Sequence, residues 1–250
     1  MSAIPVFDAE NFKRATVQQW NQAAAGWNRH TPQIRAWLRM PTDAMLGMAG
    51  IRPGSRVLDV AAGAGDQTVD IAQRVGAQGF VLATDISPAI VVLARKNAAA
   101  YPNVEARVAD AERLDVPAGS FDAAVCRLGL MLMPDALAAL RGIYRALKPG
   151  GGLCAMVFST PEANPCVAIL MKTALEHAGI APRDPFMPGS LFSLGKPGLI
   201  DALFSEAGFG DVATTRLQAP FSLPAARDYL DFVRASASPI QQILGGLDEA

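Results

Sequence analysis

Five short apolar runs alternate with helical segments between residues 56 and 158, and this alternation limits the fold more than any other feature. The runs are rich in Val, Leu and Ala, and they predict strands over 56–60, 80–84, 104–108, 121–126 and 153–158. Apolar residues at helical spacing predict helices over 66–75, 88–100 and 134–147. We therefore predict an α/β domain with a mostly parallel, doubly wound sheet that binds ligands at the carboxyl ends of its strands.

Helical segments precede this core. Apolar residues recur at helical spacing over 12–24. A short helix over 34–38 is predicted to end at Pro41, because proline interrupts helical hydrogen bonding, and a further helix is predicted over 43–49. We predict that residues 1–50 form a helical lid that closes over the ligand.

A segment of different character follows the fifth predicted strand. Residues 159–197 contain one helical stretch, 167–178, and a run rich in Pro and Gly, so we predict a cap inserted at the ligand-bearing edge. The elements predicted beyond it are a helix over 199–207, a sixth strand over 212–217, a helix over 224–233 and an ending, 235–250, without a strand pattern. The predicted domains are the lid at 1–50, the cofactor core at 51–158, the cap at 159–197 and the remainder of the core with a C-terminal helical segment at 198–250.

Composition excludes several classes of protein. Hydrophobic residues make up 51% of the 250 residues and charged residues 18%, the reverse of a disordered chain. The net charge of −1 gives no basic excess for binding nucleic acid. The apolar runs are too short to span a membrane, the first residues lack a signal-peptide pattern, and three cysteines do not suggest a disulfide framework. We expect a cytoplasmic protein that acts on a small molecule, as a monomer or homodimer.

The strongest local motif is Asp59-Val60-Ala61-Ala62-Gly63-Ala64-Gly65, where the first strand turns into a helix. Glycine allows a ligand to approach the backbone without a clash with Cβ, and the helix that follows offers free N–H groups. A Gly-x-Gly pair alone is weak, because many nucleotide-binding folds share it.

Three further features fall at successive strand ends. Asp85 ends the second strand, where a carboxylate can accept hydrogen bonds from both hydroxyls of a ribose. Asp110 ends the third, where it can accept from an adenine exocyclic amine. The turn Lys148-Pro149-Gly150-Gly151 precedes the fifth strand. Their joint occurrence in register favours a nucleoside-binding site over unrelated turns.

In combination, these motifs resemble those of class I S-adenosylmethionine-dependent methyltransferases, nearest the UbiE-like group (methyltransferase type 11). The resemblance covers about residues 50–160 well and 197–220 loosely. It implies a Rossmann-like methyltransferase fold and S-adenosyl-L-methionine as the cofactor. Members of the group often have Gly-Cys or Gly-Ser where this chain has Ala61-Ala62, which keeps both residues small.

The resemblance also implies roles for individual residues. It places Ala61, Gly63 and Gly65 close to the methionine portion and ribose, Asp85 on the ribose diol, Ile86 against the adenine, Asp110 and Ala111 at the adenine edge, and Arg127 and Leu128 beside the methionine portion and the transferred methyl group.

Two other readings stay open at the level of sequence. An NAD(P)-dependent Rossmann oxidoreductase also has an acid after its second strand, but its third motif glycine would fall at Thr68. A non-catalytic S-adenosylmethionine-binding protein would need the same loop. Oxygen ligands that would suit magnesium do not converge in the sequence, so we predict no metal site.

Transfer of a methyl group from a sulfonium depends mainly on proximity and orientation, so a catalytic base is optional and His30 is a weak candidate for one. We predict an apolar or aromatic acceptor, with O, N or C methylation undecided, in a pocket formed by the lid and the cap. The residues that we predict for the lid and this pocket are Trp27, Met131, Phe186 and Phe192.

The chain contains fewer strand patterns than the resemblance implies. Methyltransferases of this class usually end in a hairpin of strands six and seven, whereas the residues after 217 look helical here. We therefore expect either that the seventh strand is missing because the chain is cut short, or that a neighbouring subunit covers that edge.

Overall fold

The five strands predicted between residues 56 and 158 form one parallel sheet in a computed structural model that describes residues 8–181 and 184–236. The strands are β1 (Arg56–Val60), β2 (Phe80–Asp85), β3 (Val104–Val108), β4 (Phe121–Arg127) and β5 (Leu147–Met156). Their order in the sheet is β3-β2-β1-β4-β5, and every neighbouring pair is parallel. The predicted doubly wound α/β fold is therefore confirmed.

Eight helices accompany this sheet in the described residues. They are α1 (Ala9–Arg29), α2 (Thr31–Met48), α3 (Asp66–Val75), α4 (Pro88–Asn97), α5 (Ala136–Ala146), α6 (Pro165–His177), α7 (Leu199–Ala207) and α8 (Ala226–Ser236). Side-chain oxygens cap three of them: Asp8 Oδ1 accepts from the N–H of Asn11 at 3.0 Å, Ser87 Oγ from that of Ile90 at 3.2 Å, and Asp135 Oδ1 from that of Ala138 at 2.9 Å. Such caps satisfy N–H groups that a helix start leaves without partners.

Both faces of the sheet are covered by apolar side chains. Leu58 of β1 packs on the face that α5 and α7 cover, and Val57 on the face that α2 and α3 cover. Successive residues of a strand point to opposite faces, so a strand buried on both sides reads as a continuous apolar run. The central position of β1 therefore fixes the glycine motif at the middle of the carboxyl edge.

Pro41 does not end a helix, contrary to the prediction. It lies inside α2, which runs without a break from Thr31 to Met48. An internal proline costs about 3 kcal/mol. Leu38, Met45 and Leu46 of the same helix are each 2% exposed, and full burial of such side chains contributes about 1.5–3 kcal/mol each. Packing therefore outweighs the lost hydrogen bond.

The fifth strand begins earlier than predicted. The Lys148–Gly151 turn lies within β5, at an irregularity where the register with β4 shifts between Phe121 and Ala123. A Cβ on Gly151 would lie 3.0 Å from the carbonyl oxygen of Lys148 and 3.1 Å from that of Asp122. The glycine run therefore permits a bulge that continues the strand, and α5 ends at Ala146.

The predicted sixth strand, 212–217, is wrong. These residues form no strand, and Leu217 is 48% exposed. A β-branched run forms a strand only where a neighbour pairs with its backbone, and no described residue does so here. The described residues contain no seventh strand either, and 237–250 of the predicted ending lie outside them. No helix within residues 8–181 and 184–236 is long and apolar enough to cross a membrane.

Candidate functional site

Asp59 of β1 anchors the loop that follows this strand. This carboxylate is fully buried and accepts a hydrogen bond from Thr68 Oγ1 at 2.6 Å and another from Gln67 Nε2. Burial raises its pKa to about 7, and the two donors offset only part of that effect. Because both donors lie in the first turn of α3, Asp59 fixes the loop to the helix.

The two motif glycines have different surroundings. Both adopt positive φ, 59° at Gly63 and 85° at Gly65, as Ala61 does at 53°. A Cβ on Gly63 would lie 3.2 Å from Trp27 Nε1, whereas one on Gly65 would lie 3.1 Å from Cα of Ala94 in α4. Gly63 thus permits the Trp27 indole to pack closely on the loop, while Gly65 permits close packing of α4.

Asp85 joins the loops after β1 and β2. Its Oδ2 accepts from the N–H of Gly63 at 3.1 Å and its Oδ1 from that of Ser87 at 3.0 Å. Burial raises the pKa of Asp85, against the lowering effect of the N–H groups of Ser87, Gly63 and Ile86. A carboxylate has about four acceptor positions, so an acceptor position remains for a ribose hydroxyl.

Asp110 receives a partner that the sequence did not suggest. Its Oδ1 accepts from the N–H of Glu112 at 3.0 Å, and its Oδ2 lies 2.7 Å from Nζ of Lys13 in α1. The same Nζ lies 2.6 Å from Oε2 of Glu112. Burial lowers the pKa of Lys13, but the hydrogen bonds and charges of Asp110 and Glu112 outweigh it and raise that pKa.

Arg127 is held by other protein groups. Its Nη2 lies 2.8 Å and 2.6 Å from the two carboxylate oxygens of Asp66, and its Nη1 lies 3.0 Å from Oγ1 of Thr42. The side chains of Arg127 and Asp66 are 6% and 3% exposed. This ion pair therefore ties β4 to α3 and α2 beneath the site.

Helix α1 lies over the carboxyl edge. Lys13, Thr16, Trp20 and Trp27 line the same cavity, at a spacing that puts them on one face of the helix. Polar contacts hold α1 beyond this face, including Asn21 Oδ1, which accepts from Ser87 Oγ at 2.7 Å. A Cβ on Gly26 would overlap the carbonyl oxygen of Ala235, so α1 and α8 touch backbone to backbone.

A cavity of about 1860 Å³ brings most of the predicted site residues together. Those that line it are Ala61, Gly63, Asp85, Ile86, Asp110, Ala111, Arg127, Leu128, Trp27 and Met131. Pockets for one drug-sized ligand measure about 300–1,000 Å³. Part of this cavity's volume extends along β5 to Lys148 and Gly150, at the opposite end of that strand, so only the remainder lies at the carboxyl edge.

Four predicted residues do not line this cavity. Gly65 contacts α4 as described. The His30 ring packs edge-on against Phe232 with centroids 5.3 Å apart, and burial lowers its pKa. Phe186 lies under Nζ of Lys196, 4.7 Å from its ring centroid, and Phe192 is buried with its centroid 6.2 Å from that of Phe158.

Aromatic side chains that the sequence analysis missed form one wall of the cavity, a group that we call the aromatic chamber. Its members are Trp37, Phe158, Phe221, Tyr229 and Phe232. The Phe221 centroid lies 5.0 Å from that of Trp37 and 4.8 Å from that of Phe232. Trp37 Nε1 donates to the carbonyl of Ala219 at 2.7 Å, which fixes the indole.

One signal for this chamber is present in the sequence. Tyr229 and Phe232 are three residues apart in the predicted helix 224–233, so they share a face of that helix. Lys13 gives no comparable signal, because a lysine on an amphipathic helix is usually solvated. Within residues 8–181 and 184–236, no three His, Cys, Asp or Glu side chains are arranged to hold a metal ion.

Comparison with known proteins identifies the kind of domain. Residues 57–151 match a family model described as a methyltransferase domain. The ubiquinone/menaquinone biosynthesis C-methyltransferase UbiE of Enterobacter sp. is 38% identical over 134 residues, which are 52% of this chain and 52% of that protein. The chain thus spans about half the length of the curated relatives that it matches.

Solved structures agree in fold. The YcgJ protein from Bacillus subtilis has a TM-score of 0.57 and 23% identity, with 85% of each chain covered. A SAM dependent methyltransferase from Aquifex aeolicus has a TM-score of 0.52 and 20% identity, with 81% of this chain and 89% of that one covered. Together with the glycine loop and the strand-end carboxylates, these matches show that residues 57–151 are similar to a methyltransferase domain and that about half of the chain is similar to UbiE C-methyltransferases.

Proposed function

We propose that this protein transfers the methyl group of S-adenosylmethionine to a carbon atom of a small aromatic acceptor. One observation carries the proposal: a single cavity joins the carboxylates at the ends of β2 and β3 to the aromatic chamber. A cofactor held by the carboxylates and an acceptor in the chamber would therefore lie next to each other.

The residues at the carboxyl edge fit the cofactor. Gly63 has no side chain to obstruct a ligand that approaches its backbone, and Asp85 retains an acceptor position for the ribose diol. Asp110 retains such positions for the adenine amine. Arg127, already paired with Asp66, would act on the methionine portion by shaping the loop.

The chamber favours an acceptor with a ring. Rings stack at centroid distances of about 4.5–7 Å, and the chamber residues already contact one another in that range. The relative from Enterobacter is named a C-methyltransferase of ubiquinone and menaquinone biosynthesis. That name supports carbon as the acceptor atom.

Proximity would supply most of the rate. S-adenosylmethionine provides an electrophilic methyl group on a sulfonium; a bond forms to the acceptor carbon as the carbon–sulfur bond breaks. Correct orientation of two bound reactants is worth about 7–11 kcal/mol at best. Helix α1 and the chamber would exclude water and hold the ring in line with the methyl group.

Removal of a proton from the ring carbon would not depend on the tyrosine of the chamber. Burial raises the pKa of Tyr229 to about 12, so its hydroxyl keeps its proton near neutral pH. His30 lies behind Phe232 and does not line the cavity. We therefore expect acceptors whose own hydroxyl groups activate the ring, with the proton released to solvent.

A screen of phenol, quinol, amine and lipid acceptors for release of S-adenosylhomocysteine tests the proposal. We expect turnover with phenols or quinols, and a carbon-bound methyl group by mass spectrometry and NMR of the product. Phe221→Leu keeps the chamber apolar but removes a central ring, so it should weaken acceptor binding without changing cofactor affinity. Turnover with amines or lipids alone would contradict the proposal.

A further inference from the structure

One lysine of α1 contacts two carboxylates of the turn that follows β3. Nζ of Lys13 lies 2.7 Å from Oδ2 of Asp110 and 2.6 Å from Oε2 of Glu112. The side chains of Lys13 and Glu112 are 12% and 8% exposed, and that of Asp110 is 27% exposed. The cluster is therefore screened by solvent less than an ordinary surface ion pair.

These contacts hold the Asp110 carboxylate at both ends. The N–H of Glu112 binds Oδ1, and the ammonium of Lys13 binds Oδ2. Each oxygen keeps a free acceptor position, since a carboxylate has about four in all. The adenine amine would use one of these two free positions, and their orientation depends on Lys13.

Glu112 could not hold the Asp110 carboxylate in place of Lys13. Its Oε1 accepts from the N–H of Asp135 at 2.8 Å, so its side chain is fixed from the other side. Without the ammonium between them, the two carboxylates would repel each other, and the more exposed Asp110 would turn away. We infer that Lys13 is a positioning residue that orients Asp110 for recognition of the adenine amine, an inference that rests on the proposed binding of S-adenosylmethionine.

The test compares two ligands that differ at the position that Asp110 would recognise. S-adenosylhomocysteine carries the amine, and S-inosylhomocysteine carries a carbonyl oxygen in its place. A hydrogen bond to a charged group corresponds to a preference of about tenfold to a hundredfold, so the wild-type protein should favour the adenine form by at least that lower factor in calorimetry.

Lys13→Met should reduce the preference to about threefold or less, mainly by weakening the adenine form, whereas Lys13→Arg should retain most of it. The matched control is Glu10→Ala with Arg113→Ala, which removes a neighbouring ion pair between α1 and the same turn, with side chains 55% and 69% exposed. That variant should keep the wild-type preference. Thermal unfolding of each variant verifies that it is folded.

The ratio of the two affinities separates positioning from a merely structural role. If Lys13 only docks α1, Lys13→Met weakens both ligands equally, and an unchanged or larger preference overturns the inference. Wild-type protein that binds S-adenosylhomocysteine without preferring it also overturns the inference but leaves the proposed function standing. Absence of any binding by the wild-type protein refutes both.

Discussion

Replacement of Arg127 by Met should destabilise the protein severely, although the residue lines the cavity. The substitution keeps an unbranched side chain but removes two hydrogen bonds to Asp66 and one to Thr42. Asp66 would then stay 3% exposed without its cationic partner. Breaking a buried pair in this way costs about 3–5 kcal/mol.

Two structural features set the expected value within that range. Asp66 is the first residue of α3, and a negative charge at a helix start gains about 0.3–1 kcal/mol from the helix dipole. Arg35 binds the carbonyl of Asp66 at 2.8 Å and pairs with Asp70, so it does not replace Arg127 at the Asp66 carboxylate. We therefore expect a loss of about 3 kcal/mol, the lower part of the range.

Urea unfolding followed by circular dichroism measures this loss. With a slope of about 2–3 kcal/mol per molar urea, the midpoint should fall by about 1–1.5 M. Asp66→Asn alone should also destabilise, but the double variant should cost less than the sum of the two by about 1–3 kcal/mol, because no buried charge is left unpaired. Arg141→Met, which breaks an ion pair with side chains 58% and 59% exposed, should change stability by less than about 1 kcal/mol.

Retention of stability in Arg127→Met would refute the reasoning. A midpoint within the range of the Arg141→Met control would mean that the pair with Asp66 does not hold β4 against α3. Loss of cofactor affinity at unchanged stability would instead show that Arg127 acts directly on the methionine portion.

Three further predictions concern Asp59 beside the glycine loop, Trp27 over Gly63, and the N-terminal helices α1 and α2. The pKa of Asp59 rises from 3.8 to about 7 on folding, so between these values the folded state holds a proton that the unfolded state releases, and stability should fall as pH rises from about 4 to 7. Asp59→Asn, whose new amide can donate to the unpartnered Oε1 of Gln67, should remove this fall. Urea unfolding at pH 5 and pH 8 measures the difference. Trp27 lies over Gly63, so S-adenosylhomocysteine should change tryptophan fluorescence in the wild-type protein and in Trp20→Phe/Trp37→Phe, where Trp27 is the remaining tryptophan. Unchanged fluorescence in that double variant would contradict this placement. Deletion of residues 1–29 should leave a folded sheet without turnover, whereas deletion through residue 40 should also destabilise it because Ile34 and Leu38 are buried; equal unfolding midpoints for the two truncations would count against this division.

The sheet could be predicted from the sequence because each of its strands carries its own signal. The runs at Arg56–Val60 and Val104–Val108 have the predicted bounds, since local composition and the adjacent turns determine them. Pro41 and 212–217 were predicted wrongly for the opposite reason. Burial of α2 against the core outweighs the local effect of proline, and a strand requires a partner that no local pattern reveals.

The site divides in the same way. Gly63, Asp85 and Asp110 could be located because the carboxyl ends of parallel strands meet at one edge. The partners of Asp110 and Arg127 depend on where α1 and α2 dock, which the spacing of residues within a helix does not specify. The aromatic chamber joins residues from four separate segments. Only Tyr229 and Phe232, which share a face of α8, form a pattern that is visible in the sequence.

The backbone contact between α1 and α8 restricts variation at two distant points of the chain. No side chain fits at position 26 unless the carbonyl of Ala235 moves away, so any replacement of Gly26 must push the two helices apart. Trp27, the next residue, would then shift from its place over Gly63. In a collection of related sequences, we expect a larger residue at position 26 to appear together with compensating changes around position 235, and the loss of either without the other to be rare.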